Sequence, residues 1–221
     1  LFGNDTENCI PAGDITTNGC GKFNKITTKA LGEIKKLGVT HVWYTGIIEH
    51  ATQTDYSNLG IRPDHKATVK GKAGSPYAIK DYYDIDPDLA KDVPERMKEF
   101  ENLVKRSQKA GLKVIIDFVP NHVAREYYSD AKPSGVADFG ENDNTSWHFS
   151  AQNNFYYFPN NGFAPHFDKE DYDEYPAKAT GNDCFSASPS INDWYETVKL
   201  NYGVDYCGGG VKHFSPIPNT W

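Results

Sequence analysis

The residues whose types and spacing could do chemistry gather at the end of one apolar run. Leu112 to Val119 is rich in β-branched side chains, and Asp117, Asn121 and His122 follow one another at its close. The run is apolar on both alternating faces apart from Lys113 and Asp117, which reads as a strand buried in a parallel sheet. Pro120 stops it. Asp117 then sits near the carboxyl end of the strand with Asn121 and His122 just beyond, at the edge where α/β folds build their sites. The plain alternative is an aspartate capping the next turn and a histidine satisfied by a backbone carbonyl.

The elements that must position these groups can be read on either side. Asn24 can cap a helix carrying Ile26, Ala30, Leu31, Ile34 and Leu37 at helical spacing, Gly38 supplies a left-handed stop, and Val39 to Ile48 reads as a strand. The same grammar returns with Asp92 as cap, Pro94 in the first turn, a stripe of Met97, Phe100, Leu103, Val104 and Ala110, and Gly111 before the strand. Two successive αβ units of a parallel sheet or barrel are predicted. Residues 1–23 are rich in turn formers and read as one long loop, and residues 49–91 form a long excursion with few apolar residues. After His122 the helical pattern ceases for nearly a hundred residues of aromatic, loop-rich sequence. The acidic groups Asp171, Asp173 and Glu174, and Asp84, Asp86 and Asp88, read as solvated charge.

Composition narrows the partners. The chain has 221 residues, a formal charge of -7 and 14% aromatic residues, with 14 Tyr, 12 Phe and 4 Trp. Its mean hydropathy is -0.65. An aromatic excess in a polar chain suits flat ligands such as sugar rings. Nucleic acid is disfavoured, because a backbone binder needs clustered Lys and Arg. No window approaches the roughly 20 apolar residues of a membrane span. Cys9, Cys20, Cys184 and Cys207 lack CxxC spacing. Of their three possible pairings, Cys9 with Cys20 and Cys184 with Cys207 close short loops; disulfides would imply export to an extracellular, cell-surface or periplasmic setting, and four unpaired thiols a cytosolic one.

Asp117-Phe118-Val119-Pro120-Asn121-His122 resembles the D-x-x-x-N-H signature of the α-amylase superfamily, where it closes the third strand of a (β/α)8 barrel. Gly21-Lys22-Phe23-Asn24-Lys25-Ile26 is similar to that family's entry into the first barrel helix, and Val39-Thr40-His41-Val42-Trp43-Tyr44 to its second strand. Gly74-Ser75-Pro76-Tyr77 with Asp81-Tyr82-Tyr83-Asp84-Ile85-Asp86-Pro87 is similar to its GY…DYY.IDP loop. The lobe after His122 matches its B domain in position and size. Leu1-Phe2-Gly3-Asn4 and the stretch from Asn192 to Gly203 are similar to cell-surface α-amylases of bacterial starch-utilisation systems.

The resemblance implies an α/β fold, a partial (β/α)8 TIM barrel of two αβ units with a loop-rich inserted B domain. Residues 1–122 would be barrel, including the excursion 49–91; residues 123–205 would be the B domain, and 206–221 a return toward the fourth strand. By position, Tyr77 would stack on the sugar ring at the bond to be cut. His122 would bond the primary hydroxyl of that sugar, and Asp117 would pair with an arginine preceding the nucleophile. Asn121 corresponds to a calcium ligand in many relatives. Thr197-Val198-Lys199-Leu200-Asn201 stands where many relatives carry Q-P-D-L-N; a lysine cannot ligate a cation, so calcium there is in question. The family's nucleophile and acid/base lie on the fourth and fifth strands, so no catalytic residue is expected within this chain. The chain is expected to be a fragment lacking the first strand and the fourth to eighth, supplying substrate-positioning residues to a retaining hydrolase of α-glucans. The remaining barrel would be its partner, in cis or as a second chain. Oligo-1,6-glucosidase, cyclomaltodextrin hydrolase and transglycosylase activities are alternatives within the superfamily, and a non-catalytic glycan-binding subunit is an alternative outside enzymes.

Overall fold

The structure is a computed structural model that describes residues 21–206 and 212–213. The long loop expected over 1–23 therefore lies outside them up to residue 20, as do Cys9, Cys20 and Cys207 and with them both short cysteine pairings. Cys184, part-buried, forms no disulfide with another described residue.

Helix α1 (Thr28–Lys36) precedes strand β1 (His41–Tyr44). The cap is Thr27, whose Oγ1 accepts from the Ala30 N–H at 3.2 Å, rather than Asn24, which falls in a 3-10 turn over Phe23–Lys25. Leu31 is fully buried, but Leu37 is 80% exposed because the helix has already ended. Strand β2 (Ile48–His50) continues the chain, so the run expected as one strand is two short ones. Strand β3 (Ile79–Ile85) pairs with β2 antiparallel through two irregularities of register.

Helix α2 (Arg96–Lys109) lacks the expected cap. Asp92 makes no side-chain cap; instead Glu99 reaches back to accept from the Lys91 and Asp92 N–H groups at 2.9 and 2.8 Å. Such a carboxylate satisfies two N–H groups beside the positive end of the helix. Leu103 is buried, whereas Met97 is 41% exposed. Strand β4 (Lys113–Ile116) then pairs in parallel with β1, from His41 with Lys113 to Tyr44 with Ile116. Phe23, Leu31, Tyr44, Ile85, Leu103 and Leu112 form the core beneath this pair. Arg106 secures the entry segment by donating to the Phe23 and Ile26 carbonyls at 2.8 and 3.2 Å.

The expectation that this strand is buried on both faces fails here. Only the helix side is covered: Trp43 (64% exposed) and its partner Ile115 stand open on the other face, and Ile116 and Phe118 are exposed at the strand end. The excursion also differs from its expected character as solvated charge: Asp84, Asp86 and Asp88 are 6%, 0% and 6% exposed. Each is held by specific donors. Asp88 accepts from the Thr52, Thr54 and Tyr56 hydroxyls, Asp86 pairs with His50 at 2.7 Å, and Asp84 accepts from Arg96 Nε at 2.9 Å.

Strand β5 (His122–Ala124) pairs antiparallel with β8 (Thr197–Lys199), so the chain leaves and re-enters the lobe through one ladder. Between them lie β6 (Tyr157–Phe158) and β7 (Ala177–Lys178), paired antiparallel, and irregular chain. Its interior is organised on Arg125, 1% exposed, which donates to Glu174 at 2.6 Å and lies 4.4 Å from the centre of the Phe163 ring. Glu174 is thus buried, while Asp171 and Asp173 are exposed as expected of surface charge. Past β8, β9 (Val204–Asp205) pairs with β10 (Lys212–His213). No helix among the described residues is long and apolar enough to cross a membrane.

Candidate substrate-binding site

Tyr77 is carried on a loop that can be built only with glycine at its root. Gly74 has φ +66, and a Cβ there would lie 1.7 Å from the Ala51 carbonyl oxygen. The Ala51 N–H in turn donates to the Ala78 carbonyl at 2.9 Å, and the Ser75 hydroxyl accepts from the Tyr77 N–H at 3.3 Å. Both ends of the turn are pinned, and the Tyr77 side chain is left 41% exposed.

His122, the first residue of β5, is 3% exposed and meets this loop from below. Its Nε2 lies 3.0 Å from the Tyr77 carbonyl oxygen, and its Nδ1 lies 3.1 Å from the Asn121 amide nitrogen. A carbonyl only accepts and an amide N–H only donates, so these partners assign a neutral ring protonated at Nε2. Burial lowers the pKa of the imidazole and the nearby Lys199 adds to this, outweighing the Tyr77 bond that works the other way. Trp194 covers the ring, centroid to centroid 4.3 Å at 59°. Gly181 leaves the necessary room, since a Cβ there would lie 2.9 Å from the His122 Cβ. The ring therefore spends both nitrogens inside the protein and acts on Tyr77 through the main chain.

The structure thus brings Tyr77, Asn121 and His122 together, and no hydrogen bond or ring contact joins Asp117 to them. Asp117 closes the β1–β4 pair by donating its N–H to the Tyr44 carbonyl at 3.2 Å. Its part-buried carboxylate has no hydrogen-bond or ion-pair partner among the described residues. The link from β4 to β5 is fastened by two tyrosines that lie within motif stretches of the sequence but were given no role there. Tyr82 donates to the Val119 carbonyl at 2.5 Å and Tyr202 donates to the Pro120 carbonyl. Neither these nor Trp194 and Gly181 recur at a spacing that could have marked them, because each meets the site from a distant part of the chain.

The calcium that the resemblance associates with Asn121 does not fit the donors present. Asn121 offers a single amide, and opposite it on β8 Lys199, paired in register with His122, carries an ammonium bound to Asp183. Among the described residues the His, Cys, Asp and Glu group with metal-ligand spacing is elsewhere, at Glu49, Asp81, Asp84 and Asp130. No step below uses a metal at Asn121. That acidic group has the carboxylate proximity of a retaining glycosidase pair, about 5 Å, yet Glu49 and Asp81 are 2% and 0% exposed and no sugar can reach them. Glu49 is pushed up to about 9 by burial, opposed by Lys80 and reinforced by Asp130, Asp81 and Asp84.

A parallel strand pair backed by helices, with a pinned aromatic loop and a buried histidine past the strand ends, defines an α/β protein. The family described as Alpha amylase, catalytic domain, matches residues 12–176, and the chain belongs to that family. Among curated proteins it is similar to Maltase A2 of Drosophila melanogaster, 29% identical over 113 residues, covering 51% of this chain and 15% of that protein. It is also similar to the trehalose-6-phosphate hydrolase of Bacillus subtilis, 33% identical over 114 residues, covering 52% of this chain and 16% of that protein. A further relative is the amino acid transporter heavy chain SLC3A1 of Mus musculus, 35% identical over 80 residues, covering 36% of this chain and 10% of that protein. The chain thus spans about a sixth or less of the length of these relatives. Among solved structures, an alpha-amylase from Lactobacillus plantarum is 30% identical, covering 48% of this chain and 20% of that one, with a TM-score of 0.37.

Proposed function

We propose that this chain is the substrate-positioning part of a retaining glycoside hydrolase that cleaves α-glucosidic bonds in starch-type α-glucans. The observation that carries the reading is the Tyr77 platform, an exposed phenol ring on a loop whose main chain is clamped by the buried His122. A phenol offers a flat apolar face to the C–H groups of a sugar and keeps a hydroxyl for hydrogen bonding. Held in advance, it costs little ordering when substrate arrives. Asp117, at the strand edge with no carboxylate partner among the described residues, is assigned to pair with a cationic group of the remaining barrel and fix its orientation. The nucleophile and acid/base are assigned to that remaining barrel, in cis or in a second chain, and an exported setting belongs to the same reading.

The test is a reducing-end assay on starch, pullulan and isomaltose. The 221-residue chain alone should release nothing, and the chain joined to its downstream barrel segment should release products with retained anomeric configuration. Hydrolysis by the isolated chain would overturn the assignment of the carboxylates, and the three substrates separate α-1,4 from α-1,6 preference. A second reading, a non-catalytic amylase-like subunit, draws on the similarity to an amino acid transporter heavy chain. It predicts a joined protein that binds α-glucan, or none, and cleaves nothing.

A further inference from the structure

Glu49 on β2, Asp81 and Asp84 on β3 and Asp130 beyond β5 turn their carboxylates toward one another, one oxygen of each lying within 4.8 Å of the rest. Glu49, Asp81 and Asp84 are 2%, 0% and 6% exposed, and Asp130 closes the group from the surface side. Part of this set is already engaged. Asp81 accepts from the Tyr83 and Ala131 N–H groups at 2.7 and 3.3 Å, and Asp84 accepts from the Ile85 N–H at 2.7 Å. Arg96 binds Asp84 and lies 3.9 Å from Asp130. Lys80 lies 4.0 Å from Glu49 Oε1, but its ammonium is held 3.0 Å from Asp64 and donates to the Arg62 carbonyl. Four carboxyl groups therefore share one guanidinium of their own, which leaves two negative charges in excess even when Glu49, pushed up to about 9, keeps its proton. Glu49 Oε2 is buried in this group with no hydrogen-bond partner.

An uncompensated charge of that size in a buried site is costly, and a cation among the carboxylates removes the cost. We propose that Glu49, Asp81, Asp84 and Asp130 form a calcium site that clips the β2–β3 pair to the chain leaving β5. The donors are all hard carboxylate oxygens, which suit calcium or magnesium and not a thiophilic metal. Calcium–oxygen distances of about 2.3–2.6 Å put opposed ligands roughly 4.6–5.2 Å apart, whereas the roughly 2.0–2.1 Å of magnesium requires a tighter group. Oxygens that all lie within 4.8 Å of one another can close around a calcium ion, and the buried, irregular donor set suits its flexible coordination better than the strict octahedron of magnesium. Bound there, the ion ties β3, which leads directly out of the Tyr77 loop, to the lobe. The inference does not depend on the proposed catalytic reading.

The experiment is isothermal titration of the chelator-stripped full chain with calcium chloride and with magnesium chloride, alongside terbium luminescence on the same sample. One calcium per chain, bound at least tenfold more tightly than magnesium and displacing terbium, is expected. Glu49→Gln should weaken calcium at least tenfold, while Asn121→Ala should leave it unchanged. If Glu49→Gln does not fold, Asp130→Asn, at the surface side of the group, should weaken calcium in the same way. Two results would overturn the proposal: a stripped wild-type chain that takes up neither calcium nor terbium, in which case a proton on Glu49 relieves the charge, or uptake lost with Asn121→Ala and retained in Glu49→Gln or Asp130→Asn.

Discussion

Tyr77 and His122 share one hydrogen bond, from an imidazole N–H to a main-chain carbonyl, and the two ends carry different consequences. The Tyr77 ring is exposed, so its truncation removes ligand contact and little packing. Tyr77→Ala should weaken maltoheptaose binding to the joined protein about fivefold, roughly 1 kcal/mol of stacking, with an unchanged melting temperature. His122→Ala removes a buried donor, strands the Tyr77 carbonyl and opens space beneath Trp194. It should cost about 1–3 kcal/mol of stability and weaken the same ligand through the loosened loop. Chemical denaturation and calorimetric titration on both variants check this; a His122→Ala protein with native stability would show that the bond carries nothing.

At the scale of elements, the lobe is fastened by the β5–β8 ladder and by the pair beside it, Arg125 with Glu174. Burial works against charge on Glu174, but Arg125, Lys178, the Lys178 N–H and the Tyr172 hydroxyl outweigh it and hold the carboxyl below its usual range. A carboxylate depressed on folding contributes stability that is complete above its unfolded pKa, about 4.3, and is lost as pH falls through the folded value. Melting temperature should therefore decline between pH 5 and pH 3, and Glu174→Gln should flatten that decline. At pH 7 the same substitution should cost about 3–5 kcal/mol, because Arg125 is left buried with an unfilled charge. A wild-type acid slope retained in Glu174→Gln would reject the pair as its source.

For the molecule as a whole, the two-stranded β1–β4 sheet is covered on the helix side and open on the other. Trp43 and Ile115, paired in register, present their apolar side chains there, 64% and 43% exposed, and Ile116 and Phe118, 44% and 64% exposed, lie at the end of the same strand. A short sheet with free edges and an uncovered apolar face pairs readily with further chain. The 221-residue chain on its own should self-associate with rising concentration in light scattering. Ile115→Lys with Trp43→Lys should reduce that association. A strictly monodisperse wild-type monomer at high concentration would contradict it.

Helix α2, the stop at Gly111, the strand after it and the helix-free lobe follow from spacing alone, because side chains two to four residues apart decide local backbone geometry. The family was likewise readable in short motifs such as the one ending in Asn121-His122. Other features depended on partners far along the chain. Asp84, Asp86 and Asp88 look like surface charge until Arg96, His50 and three hydroxyls close over them. Asp92 makes no cap, and Glu99, seven residues on, reaches back to accept from its N–H and that of Lys91. His122 finds its carbonyl 45 residues earlier, at Tyr77. Sequence determined which groups were present and which local elements carried them; burial, and so the charge state and partner of each polar group, was decided only where distant segments met, since the cost of dehydrating a charge is set by its whole surroundings.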